Sequence, residues 1–396
     1  MKILLGHCFY RSSAPSGEDA VYRNERSLLE GHDIKVIPFE RYNDDIDDSD
    51  VLSRIHLALS TSWSQQSYKA ISDIIRHEQP DIAHFHNTFP QMSPSVYAAC
   101  KKYNVPVIQT LHNYRLICPG ALLQRNGHPC EDCVGINLLP ALRHRCYRDS
   151  LAATGALTSM LIYNRIRGSY QSNVDSYIAL TDFAASRLRA GGLPEDKIHV
   201  KPNFLPDPPE PGLGQGGYAV YVGRLSPEKG ILTLIKAWAA LKDIPLKILG
   251  DGPLMNQLTE IARSDSLPVE FLGSVHRARV IETVRDAALQ IVPSECYEGF
   301  PMVVLEAYAC GTPLLASRIG SLDEIVLDGI TGLKFTAGDP EDLTNTIQSL
   351  WTDKEKLCSY RANARRQFDD NYTAQANLHE LLAIYEKAGI TCTLPT

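Results

Sequence analysis

The feature that most constrains this sequence is a repeated alternation between short apolar stretches and longer stretches with helical periodicity. The segment Glu18–Leu29, for example, has apolar residues at helical spacing. The short apolar stretches of the first half that predict strands are Ile3–His7, Asp33–Pro38, Asp81–His86, Val105–Leu111 and Ser176–Leu180. Strands that alternate with helices predict parallel sheets covered by helices, which is an α/β fold.

The alternation stops once and then starts again. Residues 201–217 are dense in proline and glycine, so no regular element is expected there. The strands predicted after this break are Tyr218–Val222, Leu246–Leu249, Val269–Leu272, Leu289–Val292 and Pro313–Ala316. We therefore expect two Rossmann-like, doubly wound domains that face each other across a cleft. Their expected bounds are 1–203 and 218–370, with a linker over 204–217 and a C-terminal helix in 371–396 that crosses back to the first domain.

Composition narrows the classes of protein that remain. The chain has 396 residues and a formal net charge of −7, so it lacks the overall basic field of a nucleic-acid-binding protein. No run approaches the roughly 20 apolar residues that a membrane span needs. The ten cysteines do not form the dense pattern of a small secreted protein. We expect a cytoplasmic protein that does not bind nucleic acid.

Two acids spaced eight residues apart mark the second domain. Glu298 follows a predicted strand, and Glu306 lies about two turns into the helix that comes next. Pro301 suits the start of that helix, because a proline there loses no hydrogen bond. The N–H groups of a helix start attract anions, and an acid among apolar neighbours suits hydroxyl donors. A helix cap followed by a solvated acid explains these residues equally well.

A basic turn follows the first strand of the second domain. Arg224 and Lys229 lie in the sequence Gly-Arg-Leu-Ser-Pro-Glu-Lys-Gly. A guanidinium and an ammonium at a helix start suit a diphosphate, although a surface turn with unrelated cations has the same sequence. Gly250-Asp251-Gly252 ends the next strand and lets the backbone approach a ligand. Val275 follows another strand end that could line a pocket for a base.

Taken together and in this order, these motifs resemble glycosyltransferase family 4, the retaining sugar transferases with the GT-B fold. The resemblance covers nearly the whole chain and is most specific in the Glu-x7-Glu run and the basic turn. It implies that Arg224 and Lys229 hold the diphosphate of a nucleoside-diphosphate sugar. It also implies that Glu298 contacts the sugar and Glu306 the ribose. The other donor-binding residues that it implies are Gly17, Gly223, Gly250, Asp251, Val275, Gly299, Phe300, Met302 and Val303.

Histidines at two strand ends of the first domain agree with the resemblance. His112 is similar to the family histidine that contacts the transferred sugar, so we expect it to be catalytic together with Arg224, Lys229 and Glu298. We expect His86 and Asn87 on the acceptor side. His84 and His86 share one face of a strand, where hydrogen-bonded histidines are more common than a metal site. The resemblance implies retaining transfer that requires no catalytic metal or other cofactor.

The acceptor is indicated by a local basic surplus. Residues 101–170 contain nine Lys and Arg against three Asp and Glu, a net charge of +6. Arg143, Arg145 and Arg148 precede the apolar segment Leu151–Tyr163, and Arg165 and Arg167 follow it. Such a pattern suits contact with anionic lipid, although an ordinary helix with charged flanks has the same composition. We expect a glycan or lipid-linked acceptor of cell-surface polysaccharide synthesis, used at the inner face of the membrane.

Four cysteines lie within an arginine-rich insertion at about 115–150. They are Cys118, Cys130, Cys133 and Cys146, with the spacing Cys-x11-Cys-x2-Cys-x12-Cys. A Cys-x2-Cys pair with one cysteine on each side suits a tetrahedral zinc site, and free buried cysteines are the alternative. Such a zinc ion would be structural, because four thiolates leave no open position for substrate.

Two other functions remain open from the sequence. A GT-B epimerase that acts on a nucleotide sugar would need acids and a histidine placed for proton abstraction. A non-catalytic protein that binds nucleotide sugars is the other alternative, and the intact set of donor residues argues against it. The basic turn beside the Glu-x7-Glu run favours sugar transfer over epimerisation.

Overall fold

The computed structural model of the chain describes residues 1–13, 16–47 and 50–391. They form two compact units. Unit 1 comprises Met1–Leu123, Cys130–Asn203 and the C-terminal segment from Asn377 onward. Unit 2 comprises Gln124–Pro129 and Phe204–Ala376.

Both units are built from strands and helices that alternate along the chain. The strands of the described residues are β1 (Lys2–Phe9), β2 (Lys35–Tyr42), β3 (Ile82–Phe85), β4 (Val107–Leu111), β5 (Gln124–Arg125), β6 (His128–Pro129), β7 (Ser176–Ala179), β8 (Ile198–Val200), β9 (Ala219–Val222), β10 (Leu246–Leu249), β11 (Val269–Gly273), β12 (Leu289–Val292), β13 (Leu314–Ser317) and β14 (Gly332–Phe335). Their α-helices are α1 (Gly17–Glu30), α2 (Val51–Ser62), α3 (Gln65–Glu78), α4 (Ser95–Lys102), α5 (Leu139–His144), α6 (Leu151–Ile166), α7 (Ser169–Ser172), α8 (Asp182–Ala190), α9 (Ile231–Trp238), α10 (Met255–Ser264), α11 (Arg277–Asp286), α12 (Met302–Ala309), α13 (Gly320–Ile325), α14 (Pro340–Trp351), α15 (Lys354–Asn371) and α16 (Ala374–Lys387).

Unit 1 contains a six-stranded sheet in the order β2-β1-β3-β4-β7-β8. Every neighbouring pair in it is parallel. The central strands β3 and β4 are buried along their whole length, as expected for a sheet covered on both faces. The strand order reverses between β1 and β3. Ligands of open α/β sheets bind at the carboxyl ends of the strands at such a reversal.

Unit 2 contains a second parallel six-stranded sheet, in the order β11-β10-β9-β12-β13-β14. Its order reverses between β9 and β12, so this edge of the sheet is the corresponding place for a ligand. The core beside it includes the fully buried Trp238, whose indole N–H donates to the carbonyl of Ile244 at 2.8 Å. The predicted α/β fold with two doubly wound sheets is confirmed.

The helix starts are fixed by local chemistry. The side chain of Ser16 caps α1 by accepting a hydrogen bond from the N–H of Glu18, and Ser150 caps α6 through the N–H of Ala153. From Asn377 on, helix α16 belongs to unit 1, where the Asn377 amide donates to the carbonyl of Pro202 at 2.8 Å. Within the described part of the chain, no helix combines the length and the apolar character needed to cross a membrane.

Four of these strands have no counterpart in the sequence prediction. Strands β5 and β6 are only two residues long and are too short to show a pattern. The other two, β8 and β14, each lie at one edge of a six-stranded sheet. Edge strands are flanked on one side only and need fewer apolar residues. The sequence Ile-His-Val of β8 and the Lys334 within β14 hide the strand pattern for this reason. Residues 206–217 form no helix or strand, as their proline and glycine content predicts.

Candidate functional site

A half-buried ion pair lies where the sheet order of unit 2 reverses. The ammonium of Lys229, in the turn after β9, donates to Oε1 of Glu298 at 2.6 Å. The hydroxyl of Ser294, just after β12, donates to the same oxygen at 2.7 Å. The pair therefore joins the loops that follow the two strands flanking the reversal. Oε2 of Glu298 receives no hydrogen bond from the described residues.

Both partners of the pair are held in their charged forms. Burial by itself would raise the pKa of Glu298, but the attraction of Lys229 and its hydrogen bond outweigh burial and lower that pKa. Burial opposes the charge on Lys229 in the same way, and the attraction of Glu298 outweighs it and raises the pKa of the ammonium. The site thus holds one fixed positive and one fixed negative charge at neutral pH.

Two glycines allow the loops of this edge to approach each other. Gly230 has φ +66°, and a Cβ at this position would lie 1.7 Å from the carbonyl oxygen of Pro293. Gly250 has φ +137°, and a Cβ there would lie 1.9 Å from the carbonyl oxygen of Gly223. Both clashes are with backbone, which cannot rotate away. Only glycine fits at either position.

Backbone hydrogen bonds link the loops after the other strands to the same edge. The N–H of Leu225 donates to the carbonyl of Asp251 at 2.9 Å, and the N–H of Gly250 donates to the carbonyl of Gly273 at 2.8 Å. The carboxylate of Asp251 accepts from the N–H of Gly252 at 2.7 Å. The Arg224 side chain is exposed in the same region, and Val275 is half-buried.

The helix start at this edge is open. Helix α12 begins at Met302, and its N-cap Pro301 supplies no side-chain hydrogen bond. The N–H groups of the first turn, including those of Met302 and Val303, have no partner within a helix. Gly299 and Phe300 lie directly before this turn, between it and Glu298. An uncapped helix start next to the half-buried Lys229 cation is suited to an anion.

Glu306 has a partner that the sequence analysis missed. The Nε of Arg277, in the first turn of α11, lies 3.4 Å from Oε1 of Glu306. Burial raises the pKa of Glu306, and Arg277 offsets this only in part. Arg277 does not lie in a recognisable motif as Arg224 does, and strand β12 separates it from Glu306 in the sequence. The contact therefore could not be predicted from the spacing of the two residues.

A second cluster lies at the strand ends of unit 1. His86, which follows β3, places its Nε2 2.9 Å from Oε1 of Glu25 on α1. Its Nδ1 lies 3.0 Å from Nε2 of His112, which follows β4. The ammonium of Lys201 lies 3.3 Å from the other oxygen of Glu25. Glu25 and Lys201 were not predicted as site residues, because one occurs in a charged helix segment and the other beside the linker.

The side chains of His86 and Asn87, which were predicted on the acceptor side, are buried and hydrogen-bonded within unit 1. His86 is buried with both ring nitrogens bonded, so only His112 of this pair is partly exposed. The amide of Asn87 donates to the carbonyl of Cys8 at 2.8 Å and accepts from the N–H of Phe89 at 3.0 Å. Asn87 therefore fixes the loop after β3 to the end of β1.

Side chains from neighbouring segments form hydrogen bonds with the first turn of α1. The carboxylate of Glu18 accepts from the amide of Asn113 at 2.9 Å and from the hydroxyl of Tyr10 at 3.2 Å. Burial raises the pKa of Glu18, and these hydrogen bonds oppose the rise. Gly17 is the first residue of the helix, directly after the cap Ser16. The loop after β4 and the start of α1 are thus joined beside His112.

The four cysteines of the insertion lie near one another and form no disulfide with any of the described residues. Burial raises the pKa of Cys133 to about 11, and the neighbouring Cys118, Cys146 and Cys130 add to the effect. Their sulfur atoms do not come within 4.8 Å of one another as a group of three or more. Over the described ranges, only Glu25, His84 and His86 meet that spacing among side chains able to bind a metal. The zinc set stays a prediction.

Comparisons with known proteins agree with the two-unit architecture. The family model "Glycosyltransferase Family 4" matches residues 29–207, and the model "Glycosyl transferases group 1" matches residues 209–367. An uncharacterized glycosyltransferase of Methanocaldococcus jannaschii is 26% identical over 330 residues, which cover 82% of this chain and 81% of that protein.

Two further proteins show the range of similarity. The lipopolysaccharide 1,2-N-acetylglucosaminetransferase of Salmonella typhimurium is 33% identical over 177 residues, 41% of this chain and 44% of that protein. Other curated relatives also match over less than half of their own length. The structure of HepE from Anabaena, solved in complex with UDP, is 18% identical with a TM-score of 0.66 and covers 98% of this chain and 100% of its own.

The two family models follow each other along the chain and meet a few residues after the longer segment of unit 2 begins at Phe204. The fold matches that of HepE over nearly the whole length, and the basic turn and the Glu-x7-Glu run lie together at one edge of the second sheet. The chain therefore belongs to glycosyltransferase family 4, the group 1 glycosyltransferases.

Proposed function

We propose that this protein is a retaining glycosyltransferase that moves a hexose from a nucleoside-diphosphate sugar to an acceptor. The observation that carries the proposal is the Lys229–Glu298 pair beside the open start of α12. The cation and the helix N–H groups suit a diphosphate, and the unoccupied oxygen of Glu298 suits a sugar hydroxyl. The UDP bound by the similarly folded HepE supports a nucleotide donor.

The proposed chemistry needs stabilisation of the departing diphosphate. Lys229, the exposed Arg224 and the first-turn N–H groups of α12 would neutralise the charge that grows on it, and they are held in place before the reaction begins. Glu298 is paired with Lys229 and is therefore a poor nucleophile. We infer a displacement on one face of the sugar, in which the leaving phosphate accepts the proton of the acceptor hydroxyl. These cations make a catalytic metal unnecessary.

Calorimetry with a panel of UDP-, GDP- and ADP-sugars tests the donor site. We expect one nucleotide class to bind, and Glu306→Gln to weaken that binding by roughly 10-fold through loss of a charge-assisted hydrogen bond to the ribose. Glu260→Gln, an exposed substitution on α10, is the matched control and should change nothing. Equal affinity in the two variants would contradict the ribose role, and binding of none of the sugars would contradict the donor site.

We further propose a lipid-linked acceptor of surface polysaccharide synthesis, met at an anionic membrane. Helix α2 exposes Leu52, Ile55 and Leu59, with exposed fractions of 78%, 51% and 70%. It packs against α6, which exposes Ile166 at 81%. The Arg167 guanidinium stacks on Trp63, 4.8 Å from its ring centroid. Apolar side chains beside arginines suit a lipid interface.

One arginine of the predicted membrane set is not available to lipid. The guanidinium of Arg165 donates to the carbonyls of Gly135 at 2.7 Å and Leu116 at 3.3 Å. It holds the insertion against α6 instead. Arg143, Arg145 and Arg148 are exposed and remain in the proposed surface.

Reversal of these three arginines to glutamate should reduce binding to vesicles that contain anionic lipid. About 1 kcal/mol per basic residue near the surface is at stake, and the effect should shrink as salt is added. Sedimentation with vesicles measures it, and the same reversal of Arg263, Lys354 and Lys356 in unit 2 is the control. Equal sedimentation of the wild type and the unit 1 variant would contradict the membrane proposal.

The zinc site is a separate proposal. Thiolate ligands at about 2.3 Å from zinc lie roughly 4 Å apart, so the four thiols would have to close further around the ion. Elemental analysis of the purified protein should find one zinc per chain and less in Cys133→Ser. Protein purified without chelators that contains no zinc would contradict this proposal.

A further inference from the structure

A chain of buried polar side chains runs beneath His112. Glu25 lies at its centre, almost fully buried, with His86 on one oxygen and Lys201 on the other. Lys201 also donates to the side-chain oxygen of Asn377 at 3.0 Å. His84 approaches Glu25 as well, with its Nδ1 3.1 Å from Oε1. The chain therefore links the C-terminal helix, α1 and the ends of β3 and β4 within unit 1.

This cluster is a hydrogen-bond network and not a metal site. Glu25, His84 and His86 have the spacing of metal ligands. The ring nitrogens of His84 are, however, already bonded to the hydroxyls of Tyr385 and Thr110, each at 2.8 Å. The ammonium of Lys201 supplies the positive charge that Glu25 requires. A divalent cation would have to displace these partners and lie next to that ammonium.

The carboxylate determines which nitrogens carry protons. A carboxylate can only accept, so Nε2 of His86 carries the proton and donates to Glu25. Neutral His86 then has a bare Nδ1, which can only accept. The proton between His86 and His112 must therefore belong to Nε2 of His112. The two ring planes are 21° from parallel and their centroids are 5.2 Å apart, with Nδ1 of His86 and Nε2 of His112 in contact at 3.0 Å.

The charge states support this assignment. Burial would raise the pKa of Glu25, but His84, His86 and Lys201 outweigh burial and hold that pKa well below its usual range. Burial lowers the pKa of His86, although Glu25 opposes this. Burial together with His86 and His7 holds the pKa of His112 well below its usual range. One carboxylate thus faces one ammonium, and the histidines between them and the surface are neutral.

We propose that Glu25, acting through His86, is a positioning residue that fixes His112 as the Nε2–H tautomer, so that His112 Nδ1 accepts a hydrogen bond from a sugar hydroxyl. This inference rests on the proposed sugar transfer. It specifies the chemistry of the ligand further: the group that meets His112 is a neutral hydroxyl. A carboxylate, as in a uronic acid, would face the lone pair of His112 Nδ1 and has no proton to donate to it.

Glu25→Gln should reverse the donor-to-acceptor direction of the hydrogen bonds that run from Glu25 through His86 to His112. Lys201 can only donate, so the glutamine oxygen is expected to face Lys201 and the NH₂ group to face His86. His86 would then accept at Nε2 and donate from Nδ1. His112 would accept at Nε2 and carry its proton on Nδ1. The atom offered to the sugar changes from an acceptor to a donor, while the shape of the site is kept.

Nitrogen-15 NMR of histidine-labelled protein without any ligand tests the tautomer directly. His112 is assigned by its loss in His112→Asn. We expect Nε2–H in the wild type and Nδ1–H in Glu25→Gln. A wild-type His112 protonated on Nδ1, or the same tautomer in both proteins, would overturn the proposal. Should Glu25→Gln fail to fold, His86→Asn breaks the same link and should leave both tautomers of His112 populated, and a single unchanged tautomer would again overturn it.

Kinetics separate positioning from a merely structural role. With the sugar nucleotide that binds in the calorimetric panel, Glu25→Gln should lower kcat/KM about 10-fold, equivalent to roughly 1.4 kcal/mol. Affinity for the nucleoside diphosphate alone should not change. The double variant with His112→Ala should be no slower than His112→Ala, whereas additive losses would contradict action through His112. Glu30→Gln, in the last turn of α1, is the matched control. Because the NMR result needs no donor, failed sugar transfer and a wrong tautomer are distinguishable.

Discussion

Lys229→Ala is expected to lower kcat by on the order of 100-fold, the usual cost of losing one preorganised group that stabilises transition-state charge. The ammonium of Lys229 lies on the Glu298 carboxylate, 2.6 Å from Oε1, at the place proposed for the departing diphosphate. Because charge grows on the diphosphate during the reaction, the loss should appear in kcat more than in KM. Initial rates of nucleoside-diphosphate release from the sugar nucleotide in the presence of acceptor measure it. Near-normal turnover in the folded variant would contradict the assignment.

The same substitution should also reduce stability, which requires a control. It leaves Glu298 without its cation, at a cost of about 1–3 kcal/mol in the free energy of unfolding. Adding Glu298→Gln removes the uncompensated charge and should recover most of that stability without recovering turnover. Lys242→Ala removes an exposed lysine of unit 2 and should alter neither quantity.

Gly230→Ala is expected to disrupt the donor site and destabilise unit 2. The added methyl would lie 1.7 Å from the carbonyl oxygen of Pro293, so the turn that carries Lys229 and the loop that carries Glu298 would be forced apart. The left-handed conformation alone costs an alanine roughly 1–2 kcal/mol. The backbone clash should add about 1–3 kcal/mol and abolish measurable transfer. Chemical unfolding and the transfer assay measure the two effects.

Gly217→Ala is the control that separates the cost of the backbone clash at Gly230 from the cost of the left-handed conformation. Gly217 has φ +69°, close to the +66° of Gly230, but a Cβ there meets no atom within 4 Å. It should therefore show only the conformational cost and keep full activity. Equal stability losses at the two glycines would mean that the Pro293 contact is not tight, and would remove the argument that Gly230 holds the two loops together.

The strands that have neighbouring strands on both sides could be predicted from the sequence. Strands such as β10 and β12 are buried near the centre of their sheet, so their apolar runs predict Leu246–Leu249 and Leu289–Val292 with the bounds observed. The edge strands β8 and β14 were missed because polar residues are tolerated where one side has no neighbour. Short helices such as α7 also lack enough turns to show a period.

Some residues of the candidate site could be predicted from the sequence and others could not. The basic turn and the Glu-x7-Glu run are local in sequence, so Lys229 and Glu298 could be predicted from their motifs, although their direct contact across 69 residues could not. Glu25 and Lys201 lie 176 residues apart and meet only because β1, β3 and the chain after β8 share one sheet. Their sequence neighbours resemble ordinary solvated charges. Long-range polar networks of this kind leave no periodic signal.

We propose that the chain transfers a sugar from a nucleotide donor with retention of configuration. In the most direct test, the protein is incubated with the sugar nucleotide that binds in the calorimetric panel and with a membrane lipid extract as acceptor. Phosphorus and proton NMR then follow the nucleotide and the new anomeric centre. We predict release of nucleoside diphosphate only when the extract is present, in equal amount to glycosylated lipid, with the anomeric configuration of the donor kept. An epimerised sugar still attached to its nucleotide, or a product of inverted configuration, would contradict the account.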